Sequence, residues 1–404
     1  MTNTILTIDM ITREAVRLWR NTNAFIQHIE MQYDDSFAVT GAKIGDTLRI
    51  RLPNDYTVRT GPAAQVQGTT ETSTTLTLAT QKGVDVSFNT RERTMKLDDY
   101  SRRVLAPMVN NLAGAVAVDI MGGAEGGVCN LVQNTDTAGS LITPTAETWL
   151  NAGAILDVMS ARSDMRKIIT DPITNARTVG SLTGLFNPSG KLSAQYESGN
   201  MASNTLGADW FKDQTVIKHT SGSFSAGTVS GANQTGTTLT TNAITGTFTV
   251  GDIITLEDVN SVNRIDKHDN GTLCQFVVTA AAANGATSLH IYPAIVPPVG
   301  GAQVQYQTVT ASPANGAAIS LVTAPSTTFR KNIIYVPDAV TMATADLELP
   351  RGVHEAARET YDGLSMRMVT AYNIQTDEMI TRLDILYGYL WVRPEWACAI
   401  PDIV

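Results

Sequence analysis

The chain has 404 residues, 43% hydrophobic and only 17% charged, with a formal net charge of −9. That length allows two or three domains, and the missing charge, replaced by Thr, Ser, Asn and Gln, implies a neutral-polar surface suited to a protein largely covered by neighbours. An acidic balance with no basic run excludes nucleic-acid binding as the main activity, because phosphate contacts need clustered Lys and Arg.

The start of the chain lacks a charged-then-apolar leader, and no apolar run approaches the roughly 20 residues of a membrane span, so neither export nor membrane insertion is expected. Cys129, Cys274 and Cys398 form neither a metal spacing nor an even disulfide framework. Buried thiols in a reducing cytoplasm are the expectation.

In chain order, residues 9–21 read as a short helix. Ile11, Ala15, Leu18 and Trp19 fall on one face, and Arg13, Arg17 and Arg20 on another. The arginine face suits either a partner or solvent. From 45 to 93 the period changes to two: Leu48, Ile50 and Leu52 alternate with Arg49 and Arg51, and Val84, Val86 and Phe88 with Asp85 and Ser87. The polar tract 60–75 between these strands makes an extended hairpin that cannot bury a core of its own and must lie against something else.

Asp98 and Asp99 open a long helix whose apolar stripe is Tyr100, Val104, Met108, Leu112, Val116 and Ile120. Pro107 removes one backbone bond and predicts a bend, and Gly122-Gly123 ends the helix. Thr143-Pro144 caps a second helix carrying Trp149, Ala152, Leu156 and Met159. Loops and short strands follow to about Ser221. Later strands are expected at 332–336, 364–372 and 380–392.

The middle of the chain is nearly free of charge. Residues 221–251 and 270–329 contain no Asp, Glu, Lys or Arg; between them sit Asp252, Glu257, Asp258, Arg264, Asp266, Lys267 and Asp269. These neutral stretches are rich in Thr, Ala, Gly and Val, which suit strands and tight turns. The shift predicts an all-β unit over 222–328, spliced into a host domain that resumes after it.

No catalytic, cofactor or metal residues are expected. His354-Glu355 begins like a zinc-protease helix, but Arg358 occupies the place of the second histidine. The stretch 184–191 has one residue too many for a phosphate loop, and Leu192 replaces the metal-binding hydroxyl. In the glycine-rich run 122–127, Glu125 would repel phosphate, which favours a helix stop and a loop. His28, His219, His268 and His290 show no local pairing with Cys or Ser, leaving open only a triad assembled in space.

The stretch 382–397 ends a strand with Gly388 and then reads Arg393-Pro394-Glu395. It resembles the closing strand of tailed-phage major capsid proteins, and the order of elements resembles the Hong Kong 97-type fold. The implied organisation is α+β: an N-terminal arm (1–44), an extended hairpin loop (45–93), a spine helix with peripheral domain (94–142) and an axial domain (143–221). An inserted β-barrel domain (222–328) follows, then the axial return with peripheral closing strands (329–404). The insertion is similar to that of the Salmonella-phage type of coat protein, with 251–256 and 276–279 resembling its strands. This insert lacks the charged loop common in that group, for which the 258–269 cluster is a candidate substitute and a solvated loop the plain alternative.

The resemblance implies a capsid protein that self-assembles, as hexamers and pentamers, into an icosahedral head enclosing double-stranded DNA without sequence-specific binding and without a membrane. Implied partners are a scaffolding protein, a portal and decoration proteins; implied location is the virion, after assembly in the bacterial cytoplasm. Arg49, Arg51, Arg59, Arg393 and Glu395 are the expected subunit contacts. The rival reading is a tail or adhesin-like protein with a β-sandwich binding module; an enzyme with a β accessory domain ranks third.

Overall fold

The computed structural model describes residues 8–31, 47–52, 54–56, 58, 61–64, 66, 73–89, 101–182, 199, 201, 204–298, 304–361 and 363–404. The chain forms two compact units: 1–50, 73–120 and 340–392 in the first, and 51–72, 121–339 and 393–404 in the second.

The first unit is built on an antiparallel sheet in the order Val340–Ala345, Glu378–Trp391, Leu364–Asn373, Glu355–Tyr361. Thr80–Asn89 pairs with Glu378–Trp391 from Tyr387↔Thr80 to Glu378↔Asn89. The helix Ile8–Thr22 lies against Glu355–Tyr361 and Leu364–Asn373 and buries Ala15, Val16 and Trp19. Two of its arginines meet acids of the same chain: Arg17 pairs with Glu14 at 2.6 Å, and Arg13 lies 3.6 Å from Glu359.

The strand pairing departs from the sequence reading. Thr47–Arg51 pairs with Ser73–Thr77, whereas Thr80–Asn89, expected as its partner, joins the larger sheet. In Ser73–Thr77 only Leu76 is apolar, too little alternation to mark a strand from sequence. Ile50, Leu76 and Leu78 bury their side chains together with Ala343 and Ala345.

The long helix begins as a π turn, Ser101–Leu105, and becomes α-helical over Ala106–Gly123. The irregularity abuts Pro107, whose ring removes an N–H donor from the first α turn. Asp98, Asp99 and Tyr100 lie outside the described residues. Met108, Leu112, Val116 and Ile120 are buried as the stripe predicts, joined by Val109, Ala113 and Ala117. By length and composition, Arg103–Gly123 is apolar enough to cross a bilayer, which corrects the expectation that no such run exists. Half of its most apolar 18-residue window is buried in the protein. Asp119 pairs with Lys82 Nζ at 2.6 Å and accepts the Tyr387 hydroxyl, while Trp391 Nε1 donates to Ile120 O at 3.0 Å.

The second unit contains a mixed sheet in the order Asn130–Leu131, Ala397–Ile403, Thr328–Tyr335, Lys167–Thr170, Asp209–Lys212, with Lys218–Thr220 also paired to Thr328–Tyr335. The helix Ala146–Val158 packs Trp149, Ala152 and Leu156 into a core with Ile168, Trp210, Ile334 and Ile400. The Trp149 and Trp210 rings meet edge to face at 4.7 Å. The helix N-cap is Thr145, two residues beyond the expected Thr143; the Thr145 N–H donates to the Thr148 hydroxyl at 3.1 Å. A further helix, Pro172–Leu182, lies where the sequence reading places only loops and short strands. Its start signal is local: Asp171 Oδ2 accepts the Ile173 N–H at 2.9 Å, and proline follows at the first position.

Also in this unit, five antiparallel strands run in the order Gly236–Thr240, Ser288–Ile295, Asp269–Val278, Ile253–Val262, Ile319–Leu321. Phe224, Val229, Leu239, Phe248, Ile254, Leu256, Phe276 and Ile291 belong to one core cluster whose every member lies between 224 and 321. Phe224 and Phe248 stack at 4.4 Å. We call this set of strands the β module.

Candidate functional site

The Arg393-Pro394-Glu395 stretch forms a tight turn. After Glu378–Trp391 the chain makes one 3-10 turn, Pro394–Trp396, and enters Ala397–Ile403. Proline suits this start, because its fixed φ is preorganised and its missing N–H is not needed there. The turn is pinned by Arg393 N–H to Ala339 O (3.2 Å), Val336 N–H to Trp396 O (3.2 Å) and Trp396 Nε1 to Met159 O (3.2 Å). The Arg393 guanidinium lies over the Trp396 ring at 4.3 Å.

That geometry aims Glu395 at the β module. Oε1 accepts from Arg264 at 3.1 Å and Oε2 accepts the Tyr292 hydroxyl at 3.0 Å. The other arm of Arg264 donates to Asp55 Oδ2 at 3.0 Å. Burial works against the charge on Arg264, but Asp55 and Glu395 outweigh it and raise its pKa. Burial and the Glu395 carboxylate keep Tyr292 protonated, so its hydroxyl remains a donor. Burial, aided by neighbouring Arg264, lowers the pKa of Arg393.

Two glutamines extend the clasp. Gln275 bridges the backbone of Leu131, accepting its N–H at 2.7 Å and donating to its carbonyl at 2.9 Å. Gln133 Nε2 donates to Val322 O at 2.7 Å. The three cysteines are free and buried, and burial pushes their thiols up, Cys274 to about 12, which leaves them unreactive.

Of the expected contact residues, Arg49 is exposed, its Nε donating to Ser73 Oγ at 2.8 Å, and Arg51 is exposed at the end of its strand. Arg59 lies outside the described residues. Arg393 and Glu395 come together at the turn and meet groups of their own chain. Sequence reasoning missed Arg264 and Tyr292 as the partners of Glu395, and Asp55 as the second partner of Arg264. One signal was available: Arg264 and Lys267 are the only Arg or Lys between Lys218 and Arg330.

The rejected motifs also find their places. Glu355 opens a strand rather than a helix, so the His354-Glu355 pair has no zinc-protease geometry. The stretch 184–191 lies outside the described residues. Glu125, in the turn after Gly123, points at His219, whose two ring nitrogens lie 3.2 Å from Glu125 and 3.0 Å from Asp252. With both nitrogens facing carboxylates, His219 is not aimed at a nucleophile. Among the described residues no group of His, Cys, Asp and Glu is arranged to hold a metal.

The family model of the P22 coat protein, gene protein 5, matches residues 41–399. The chain is similar in fold to the capsid of Ralstonia phage GP4, at 9% identity over 100% of this chain and 94% of that chain, with a TM-score of 0.50. It is also similar to a structure from Mycobacterium phage Che8 (11% identity, 94% and 90% covered, TM-score 0.48). The CUS-3 coat protein I-domain is similar at 27% identity over 24% of this chain and 94% of that chain, with a TM-score of 0.20. No curated protein matches the chain. Low identity makes the GP4 likeness evidence of fold alone, an α+β capsid-protein fold. The family match spans most of the sequence: this chain belongs to the P22 coat protein family and is a major capsid protein of the phage head shell.

Proposed function

We propose that the chain assembles as hexamers and pentamers into an icosahedral head of the Hong Kong 97 type, with 222–328 as an inserted β domain. The observation that carries the insertion is the pairing of the strands on either side of it. Thr220 is opposite Thr328 and His219 opposite Phe329, with the two threonine hydroxyls 2.9 Å apart. A folded unit whose two ends are antiparallel neighbours can be spliced into a host without disturbing it.

In this reading the polar tip of the hairpin loop 45–93 reaches over a neighbouring subunit, with Arg49, Arg51 and Arg59 at the contacts. Arg393 and Glu395 contribute indirectly, by holding the turn that grips the β module. Single exposed ion pairs are worth about 0–1 kcal/mol, so shell stability comes from repetition over many copies. A scaffolding protein, a portal and decoration proteins would complete assembly in the bacterial cytoplasm, and DNA would be enclosed without sequence-specific contacts. Co-expression with the scaffolding protein of the same phage tests this: megadalton material in velocity sedimentation is expected. A chain that sediments only as monomer beside its own scaffold would overturn it.

A further inference from the structure

Four ionisable side chains meet where the strands before and after the β module pair. His219 is 4% exposed, its Nδ1 3.2 Å from Glu125 Oε1 and its Nε2 3.0 Å from Asp252 Oδ1. The two carboxylates come from separate segments: Glu125 from the turn after Gly123, Asp252 from the residue before Ile253–Val262. Asp252 is fully buried and also accepts the backbone N–H groups of Gly222 at 3.1 Å and Thr249 at 2.7 Å. Lys331, on Thr328–Tyr335, is 1% exposed, and its ammonium has no hydrogen-bond partner among the described residues. Phe329 covers the imidazole at 5.3 Å. Gly251 permits this close approach: at φ +97° a side chain there would be strained, and its Cβ would press within 3.1 Å of Glu125 and of His219 Cε1.

The remaining charges nearby are engaged elsewhere. Strand alternation turns Lys218 and Arg330 to the face opposite His219, and Arg330 pairs with Asp171 at 3.1 Å. The local set is therefore Glu125, Asp252, His219 and Lys331. A neutral imidazole has one N–H and one lone pair, so it can satisfy only one of two carboxylates and sets its lone pair against the other. Only the imidazolium donates to both. With His219 and Lys331 charged the cluster is electroneutral; with His219 neutral, a net negative charge is left in a buried site.

We propose that His219 is a protonation-controlled latch on the β module, closed as the imidazolium and released when its proton is lost. Closed, it ties the strand before the module to the module's own Asp252 and to the Glu125 turn. Released, it leaves two carboxylates facing each other across the root. Burial works against the charged form, yet the Asp252 and Glu125 carboxylates outweigh it and raise the pKa above the ordinary histidine value. A raised value means that the latch contributes fully below the ordinary histidine range and is lost as pH climbs through the folded-state pKa. Lys331, pulled down to about 8 by burial, titrates above the ordinary histidine range and in the opposite sense, so its contribution must be separated.

Hydrogen exchange on the full unassembled chain tests the proposal, with rates corrected for intrinsic exchange and compared between about pH 6 and about pH 9. Peptides covering 218–224 and 247–256 should lose protection by about tenfold or more at the higher pH in the wild type and in Lys331→Met. Glu125→Gln should move the midpoint to lower pH, and His219→Gln should be unprotected at both values. Unchanged corrected protection in the wild type, or a midpoint unmoved by Glu125→Gln, would overturn the latch. If His219→Gln does not fold, carbon-labelled histidine NMR of the wild type decides. One of the five imidazoles should titrate above the others; five ordinary titrations would contradict the proposal.

Discussion

Glu395 accepts a hydrogen bond from Arg264 at 3.1 Å across 131 residues of chain, joining the turn before Ala397–Ile403 to the β module within the second unit. The pair is partly buried, with side-chain exposures of 19% and 25%, and Arg264 also serves Asp55. Removing the guanidinium takes away the one cation hydrogen-bonded to both Asp55 and Glu395, leaving Arg393 and Lys267 as the nearby positive charges. Arg264→Ala should therefore cost about 2 kcal/mol in urea unfolding, and Tyr292→Phe about 1 kcal/mol. A double-mutant cycle with Glu395→Gln checks the cause; a coupling energy near zero would show that the clasp is geometric rather than energetic.

Gly388 is the other fixed point of the sequence motif, and its reason is a crossing of chains. A Cβ there would collide with the carbonyl oxygen of Thr77 and sit 3.0 Å from Leu76 Cδ2. Backbone cannot yield as a flexible side chain can, so Gly388→Ala should destabilise by about 3 kcal/mol or more. Soluble yield and thermal melting measure this. A variant that melts with the wild type would mean that the Ser73–Thr77 strand does not cross there.

Lys331 should be a net liability at neutral pH. Lowering its pKa from the ordinary 10.5 to about 8 disfavours the charged form by about 3 kcal/mol. This penalty is fully present below about pH 8 and is relieved as pH rises towards 10.5, because there the unfolded chain binds the extra proton. Lys331→Met should thus raise stability at neutral pH by about 1–3 kcal/mol, with the gap to wild type narrowing at alkaline pH. A variant less stable than wild type at neutral pH would show that the cation is needed to balance Glu125 and Asp252.

Residues 222–328, expressed alone, should fold. A chain of this size buries about 60–70% of its unfolded surface, and every member of the β-module core lies within the segment. Circular dichroism should give a strand-rich spectrum and a cooperative melt. A disordered spectrum would make the segment dependent on the surrounding sheet.

How much of this was legible in the sequence differed by the kind of signal. Periodicity gave the long helix and the strands around Leu364 and Glu378, because their apolar faces repeat at helical or strand spacing. The absence of charge over 221–251 and 270–329 marked the stretch that contains the β-module core. Ser73–Thr77 carried too little apolar alternation to be seen, and the cap pair Asp171-Pro172 was present but overlooked, hiding the helix Pro172–Leu182. Of the clasp only its members stood out, Arg393 and Glu395 in the motif and Arg264 in a charge-poor stretch, while their pairing and the latch were not legible. Arg264 and Glu395, or His219 and Glu125, are ordinary polar residues until folding brings distant segments together.

The most direct measurement is electron microscopy of the particles formed with the scaffolding protein. Closed icosahedral shells are expected, with one β module per subunit in the reconstruction and the polar tip of the 45–93 loop lying on a neighbouring copy. Tubes, fibres or a dispersed monomer under the same conditions would contradict the assignment of this chain to the head shell.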